Sequence, residues 1–147
     1  MIVKDKDGNA MIQSERELKL RYVISVNKVR RFFDGLQEGK VYFTKCIKCG
    51  AKYFPPQADC PACGSSEMEW IPITGRGKLV ALTIINVKPS SFSGPDYAVG
   101  VARFGELGVV AWLDIDASIA RDSVRPGVDV ELVVKDGRYW LHPIINA

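Results

Sequence analysis

Three observations predict a mainly β protein. Two matched Cys-x-x-Cys-Gly knuckles sit in mid-chain, a helically spaced apolar stripe precedes them, and five β-branched runs punctuated by glycine follow. The expected parts are an N-terminal helix, a rubredoxin-like zinc ribbon and a five-stranded oligonucleotide/oligosaccharide-binding (OB) barrel. The chain of 147 residues is long enough for one ordinary domain or two small ones. The expected division is an N-terminal helical segment over 1–39, the ribbon over 40–73 and the barrel over 74–147.

The N-terminal residues are ambiguous. Ser14 and Glu17 have capping-box spacing, which favours a helix start, yet Leu18, Leu20, Tyr22 and Ile24 alternate as a strand would. Residues 1–24 are therefore assigned to neither. From Ser25 the pattern sharpens, because Val26, Val29, Phe32, Phe33 and Leu36 recur at helical spacing. Gly35 or Gly39 ends this helix, since glycine accepts the left-handed cap conformation cheaply. Its stripe reads as a packing face, with Phe32 and Phe33 as the residues that would otherwise serve a partner.

Strand-like flanks, Val41–Thr44 and Met68–Ile71, bracket the cysteines. Behind a break at Pro72–Gly77, strands are expected over Gly77–Val87, Ala98–Phe104, Val109–Ile115, Val128–Val134 and Arg138–Ile145. Gly105–Gly108 reads as a turn, and Asp136-Gly137 is a strong two-residue hairpin signal. Five strands in so short a stretch fit a small closed or partly open barrel, of which the OB barrel is the leading form.

Composition narrows the function classes. A hydrophobic share of 47% and a charged share of 25% are those of a globular protein, excluding disordered and fibrous chains. The apolar run Leu79–Ile85 falls far short of the roughly 20 residues a membrane span needs. The opening MIVKDKDGNA has no apolar core of a signal peptide, so a cytoplasmic protein with no membrane partner is expected. Net charge is +3, and the excess is local: residues 1–45 hold ten Lys/Arg against six Asp/Glu, whereas 74–147 hold eight against eight. Nucleic-acid binders usually carry a stronger, more clustered basic footprint, so nucleic acid is disfavoured as a partner.

The four cysteines, Cys46, Cys49, Cys60 and Cys63, lie in Cys46-Ile-Lys-Cys49-Gly50 and Cys60-Pro-Ala-Cys63-Gly64. Each tight turn aims two thiolates at one point, and the glycine lets backbone amides bend back toward the sulfurs. Two facing knuckles supply the four-sulfur tetrahedral set of structural zinc. A disulfide framework would need an oxidising compartment. A thioredoxin-type motif would need a single pair in a βαβ setting. Iron is the less favoured alternative ion: rubredoxin separates its knuckles by more sequence, and rubrerythrin-like proteins add Glu-x-x-His motifs that the single histidine, His142, cannot supply. A closed four-thiolate shell leaves no position for water or substrate, so its role is structural.

One family carries this order of motifs. Arg31-Phe32-Phe33-Asp34-Gly35-Leu36, Gly39-Lys40, the two knuckles, Tyr53-Phe54-Pro55-Pro56, Glu69-Trp70 and Gly75-Arg76-Gly77 follow one another. From about residue 22 to its end the chain resembles the zinc-ribbon/OB-fold proteins catalogued as a domain of unknown function and later linked to acyl-CoA metabolism. The resemblance implies an accessory subunit of a thiolase-like enzyme, with a barrel that helps to enclose coenzyme A. Gln57 stands where the family often has Arg, and Leu141-His142-Pro143 where it often has an aromatic-x-Pro.

Four residues become candidates for CoA or acyl-CoA. Arg76 and Lys78 flank Gly77 and would face a phosphate as a fork and a point charge; otherwise they are solvated charges at a strand entrance. Lys88 and Phe92 lie in the long loop Lys88–Tyr97, where Phe92 would stack on adenine, cover the pantetheine arm or tuck into the ribbon. Trp70 and Trp112 read as core or domain-interface residues, and His142, with no visible acid or nucleophile, as structural. No catalytic residue is assigned, for no nucleophile–base pair, phosphate loop or dinucleotide fingerprint is present. The expected function is a non-catalytic accessory or scaffold subunit. A single-stranded nucleic-acid binder is the alternative, weakened because no Arg/Lys–aromatic series runs through the barrel strands. A rubredoxin-like electron carrier is a third.

Overall fold

A computed structural model of the chain describes residues 1–145. The ambiguous N-terminal stretch is neither a helix nor a long strand. It opens with a small hairpin of β1 (Ile2–Lys4) and β2 (Ala10–Ile12), in which Ile2 faces Ile12. The Asp5 carboxylate closes the turn by accepting the backbone N–H groups of Asp7 and Asn9, each at 2.9 Å. Residues 13–26 have no regular structure, and Leu18, Leu20, Tyr22, Val23 and Ile24 are exposed.

The predicted helix is present, shortened at its start. A 3-10 turn (Asn27–Val29) leads into α1 (Arg30–Gln37). Gly39, at φ +77°, ends it: the Lys40 N–H donates to the Gly35 carbonyl at 2.8 Å and the Gly39 N–H to Leu36 at 3.3 Å. Gly35 serves a different purpose inside the helix, where a Cβ would meet the Tyr42 ring at 2.6 Å. The Phe32 ring lies edge-on to Phe54 and Tyr139, with centroids 6.3 and 6.0 Å away, so α1 joins the cysteine segment to the barrel.

The cysteine segment is a three-stranded antiparallel sheet in the order β4 (Lys52–Tyr53), β3 (Tyr42–Cys46), β5 (Met68–Pro72). Thr44, fully buried in the middle strand, faces Tyr53 on one side and Trp70 on the other. Its hydroxyl accepts the Gln57 N–H at 3.0 Å, which satisfies a polar group that would be costly to bury alone.

Five further strands form the barrel: β6 (Gly77–Ile85), β7 (Tyr97–Phe104), β8 (Leu107–Trp112), β9 (Asp129–Lys135) and β10 (Arg138–Pro143). Their order is β10-β9-β6-β7-β8, all antiparallel. The sheet nearly closes on itself, since a parallel bridge links Leu113 to Leu141 and the Asp114 N–H donates to the Leu141 carbonyl at 3.1 Å. This is the OB arrangement. Both hairpin turns hold two residues, Gly105-Glu106 and Asp136-Gly137, and the latter pair has φ +54° and +69°, as a type I′ turn requires.

A second helix, α2 (Ala117–Ser123), absent from the sequence expectation, follows β8. Ala117, Ala120 and Val124 from this region are buried and cap one end of the core. The core itself is Leu79, Ala98, Ala102, Val109, Val130 and Leu141, each 1% exposed or less. Glycine permits two close approaches there. A Cβ at Gly77 would meet the Arg103 carbonyl at 2.6 Å, and one at Gly100 would meet Leu79 and Leu113 at 2.8 Å. Among the described residues no helix is long and apolar enough to cross a membrane.

Candidate metal centre and barrel surface

The two knuckles fold alike. The Gly50 N–H donates to the Cys46 carbonyl and the Gly64 N–H to the Cys60 carbonyl, both at 2.8 Å. Both glycines have positive φ, +79° and +75°, where a side chain would be strained. One knuckle leaves β3 and the other precedes β5, so pairing of those strands brings the turns together. The four sulfurs lie within 4.8 Å of one another, with Cys46–Cys63 and Cys49–Cys60 both at 3.6 Å. A tetrahedral ion with Zn–S bonds of about 2.3 Å needs sulfurs about 3.8 Å apart, so the cluster fits it.

Cys46 and Cys60 are buried, whereas Cys49 and Cys63 are exposed. Tyr53, from the short strand β4, places its hydroxyl 3.1 Å from Cys60 Sγ. That hydrogen bond holds the Cys60 thiol down to about 6 and pushes the Tyr53 phenol up to about 12, as expected for a hydroxyl donating to a thiolate. Tyr53 is thus a supporting residue of the cluster. The sequence placed it beside the knuckles without assigning it a role.

The four candidate ligand residues do not converge. Arg76 lies 3.8 Å from Asp129 and 3.6 Å from Glu131, and Lys78 lies 2.5 Å from Asp129. The Lys78 hydrogen bond holds the Asp129 carboxyl below its usual range. Lys88 is bound to Asp96, beyond the other end of β6. Ten residues of largely extended chain separate Lys78 from Lys88, roughly 25–30 Å. Phe92 packs edge-on against Tyr97 and Trp112, at 5.5 and 5.9 Å, and thus sits on the barrel and not in the ribbon.

Folding assembles at Phe92 a surface that no local motif announces. Tyr97 stacks on Trp112 at 3.7 Å, their planes 12° apart, because β7 and β8 set neighbouring residues there in register. Trp140 from β10 meets Trp112 edge-on at 6.0 Å. The Arg138 guanidinium lies 5.1 Å from the Trp112 ring centre and 4.9 Å from that of Trp140. Phe92, Tyr97, Trp112, Trp140 and Ile119 line an open hollow of about 660 Å³ with Asp114, Asp116 and Lys135 on its polar side. Beside it, Val101 and Val110 face each other across β7 and β8 on the outer surface, both exposed, and Val110 lines a smaller hollow with Phe33 of α1.

His142 has the acid partner that the sequence did not reveal. Its Nδ1 lies 2.8 Å from Asp114, whose side chain is only 6% exposed and also receives Lys135 at 2.9 Å. Asp114 stands at the barrel closure, so the triad bolts the end of β8 to β9 and β10. Trp70 stacks edge-on to Tyr42 inside the ribbon.

Similarity to known proteins follows the same two-part division of motifs. The family model for the rubredoxin-like zinc ribbon domain of ChsH2 matches residues 33–69, and that for the C-terminal OB-fold domain of ChsH2 matches residues 70–135. The chain is 31% identical over 114 residues to a DUF35 domain-containing scaffold protein of Pyrococcus furiosus, covering 68% of this chain and 82% of that protein. It is 41% identical over 92 residues to the benzoylsuccinyl-CoA thiolase subunit BbsA of Thauera aromatica, covering 61% of this chain and 60% of that one. Its fold resembles a chain of the Ltp2-ChsH2(DUF35) aldolase structure with a TM-score of 0.67 at 20% identity, over 84% of this chain and 98% of that one.

Proposed function

Because the chain belongs to the ChsH2/DUF35 family of zinc-ribbon and OB-fold proteins, we propose that it is a non-catalytic accessory or scaffold subunit of a thiolase-type acyl-CoA enzyme. The observation that carries this reading is the apolar outer surface running from Phe33 through Val110 and Val101 to the Trp112 hollow. Exposed large apolar groups at one continuous site mark an interaction face. The thiolase subunit BbsA, at 41% identity, supports an enzyme of that type as the partner. Family members named as scaffold proteins support a role in holding enzymes over one in chemistry.

The barrel's share in an acyl-CoA site is the hollow. Its aromatic walls suit the acyl group or the pantetheine arm. Arg76, Lys78 and Lys88 each pair with a carboxylate, so a phosphate of CoA would displace Asp129, Glu131 or Asp96 to reach them. The two close-spaced knuckles suit zinc, and an ion whose shell is closed by four thiolates has a structural role. Metal analysis of the protein from its own source tests this: about one zinc per chain supports it, and iron with a visible absorption band reverses it.

Purification of the tagged chain from its native cell, with mass spectrometry of what accompanies it, tests the main reading. A near-stoichiometric thiolase-type enzyme is expected. Recovery of the chain alone under gentle conditions overturns the proposal. One observation favours the nucleic-acid reading: Arg138 between Trp112 and Trp140 forms a small stacking platform from strands distant in sequence. Salt-dependent binding of a single-stranded oligonucleotide, lost in Trp140→Ala, would establish it.

A further inference from the structure

An irregular, exposed stretch of the chain carries several large apolar side chains. Leu18, Leu20, Tyr22 and Ile24 are 61–80% exposed, and they alternate with Lys19, Arg21 and Val23. No backbone hydrogen bond is made by residues 14–25 among the described residues. When extended, this stretch presents one apolar face and a full row of unused N–H and C=O groups, as a strand without a sheet does. Lys19, Arg21, Lys28, Arg30 and Arg31 are the charged residues from Leu18 to Phe33, and no carboxylate lies among them. Lys19, Arg21 and Lys28 form no ion pair among the described residues.

We propose that residues 14–25 are a strand-donating arm that adds to an open, acidic sheet edge of the partner enzyme. This rests on the accessory-subunit reading and adds to the barrel face a second docking element. Pairing with an edge satisfies the backbone groups and buries Leu18, Leu20, Tyr22 and Ile24 on one face, which is the strand-addition mode of recognition. Within the arm Arg16, Lys19 and Arg21 outweigh Glu15 and Glu17. The carboxylate-free stretch from Leu18 to Phe33 adds the basic excess that selects an acidic partner and speeds the encounter. A second copy of the chain fits less well. Antiparallel pairing of two such arms that matches Leu18 with Ile24 and Leu20 with Tyr22 sets Arg21 opposite Arg21, and like charges directly opposite are destabilising. A lipid surface is disfavoured too, because alternation with period two gives no apolar face to a helix.

Hydrogen exchange on the full-length protein, alone and with the thiolase-type enzyme that co-purifies with it, is the test. Amides of residues 14–25 should exchange freely in the isolated chain and become at least tenfold slower in the complex. Leu20→Pro with Tyr22→Pro should weaken the complex at least tenfold while zinc content and melting temperature stay unchanged, since these side chains pack on nothing in the chain. Lys19→Glu with Arg21→Glu should slow association at low salt at least tenfold. A complex that forms with the arm still exchanging freely, or with full affinity in the proline variant, overturns the arm and leaves the accessory-subunit reading standing. Concentration-dependent protection without the enzyme overturns it in favour of self-pairing. Failure of the wild-type chain to bind a thiolase-type enzyme overturns both.

Discussion

At the level of single residues the cysteine cluster sets the strongest expectations. Cys49 is one of the four clustered thiols of a segment whose buried apolar side chains are few, so a metal bound there would supply much of its folding energy. Cys49→Ser is expected to lose the ion and unfold residues 40–71, read by metal content and by exchange of the β3 and β5 amides. Tyr53→Phe removes only the donor to Cys60, and by analogy with other outer-shell partners metal affinity should fall about tenfold or more in a chelator competition. Asp114→Asn keeps the shape but removes the charge held between His142 and Lys135. At a side chain this buried the loss should be about 1–3 kcal/mol, measured by denaturant unfolding. The cysteines were legible because their spacing is local. The Asp114–His142 contact was not, because 28 residues separate its partners and only the barrel closure brings them together. The same holds for Arg138 and Trp112, whose contact depends on β8 and β10 approaching each other.

At the level of elements, alternation and turn chemistry located all five barrel strands to within a few residues. Asp136-Gly137 gave its hairpin for a physical reason, since a two-residue type I′ turn needs both residues at positive φ. The helix α2 escaped because it has only seven residues and no side-chain cap hydrogen bond at Asp116, so its stripe of Ala117, Ala120 and Val124 is too short to show a period. The β1–β2 hairpin escaped likewise, as two three-residue strands carry no readable alternation. Gly77 offers an element-scale prediction. It opens β6, where the strand crosses close to β7, and its constraint is space, not backbone angle. Gly77→Ala presses a methyl group against the Arg103 carbonyl and the Phe104 ring, and a loss of about 1–3 kcal/mol is expected in thermal unfolding.

For the whole molecule, the helix, ribbon and barrel share one aromatic joint. Phe32 of α1, Phe54 beside the knuckles and Tyr139 of β10 meet within 6.3 Å of one another, so the helix, ribbon and barrel hold a common orientation. Phe32→Ala should therefore weaken binding of a thiolase-type partner by loosening this joint, while the metal content stays intact, which isothermal titration and metal analysis would separate. The near-closure of the barrel has a different consequence. Where β8 and β10 approach, one bridge at Leu113 and Leu141 stands in for a full ladder, whereas β6 and β7 are paired over almost their whole length. The barrel is a curled strip whose two ends are latched by that bridge and by the ion pairs of Asp114, and the latch is expected to open before the long β6–β7 pair. Heat or dilute denaturant would release it first, letting β8 swing outward with Trp112 while the β6–β7 pair stays folded until global unfolding. The hollow lined by Trp112 and Trp140 thus spans the seam, and a ligand or partner bridging the two strands would stabilise the fold by keeping it shut.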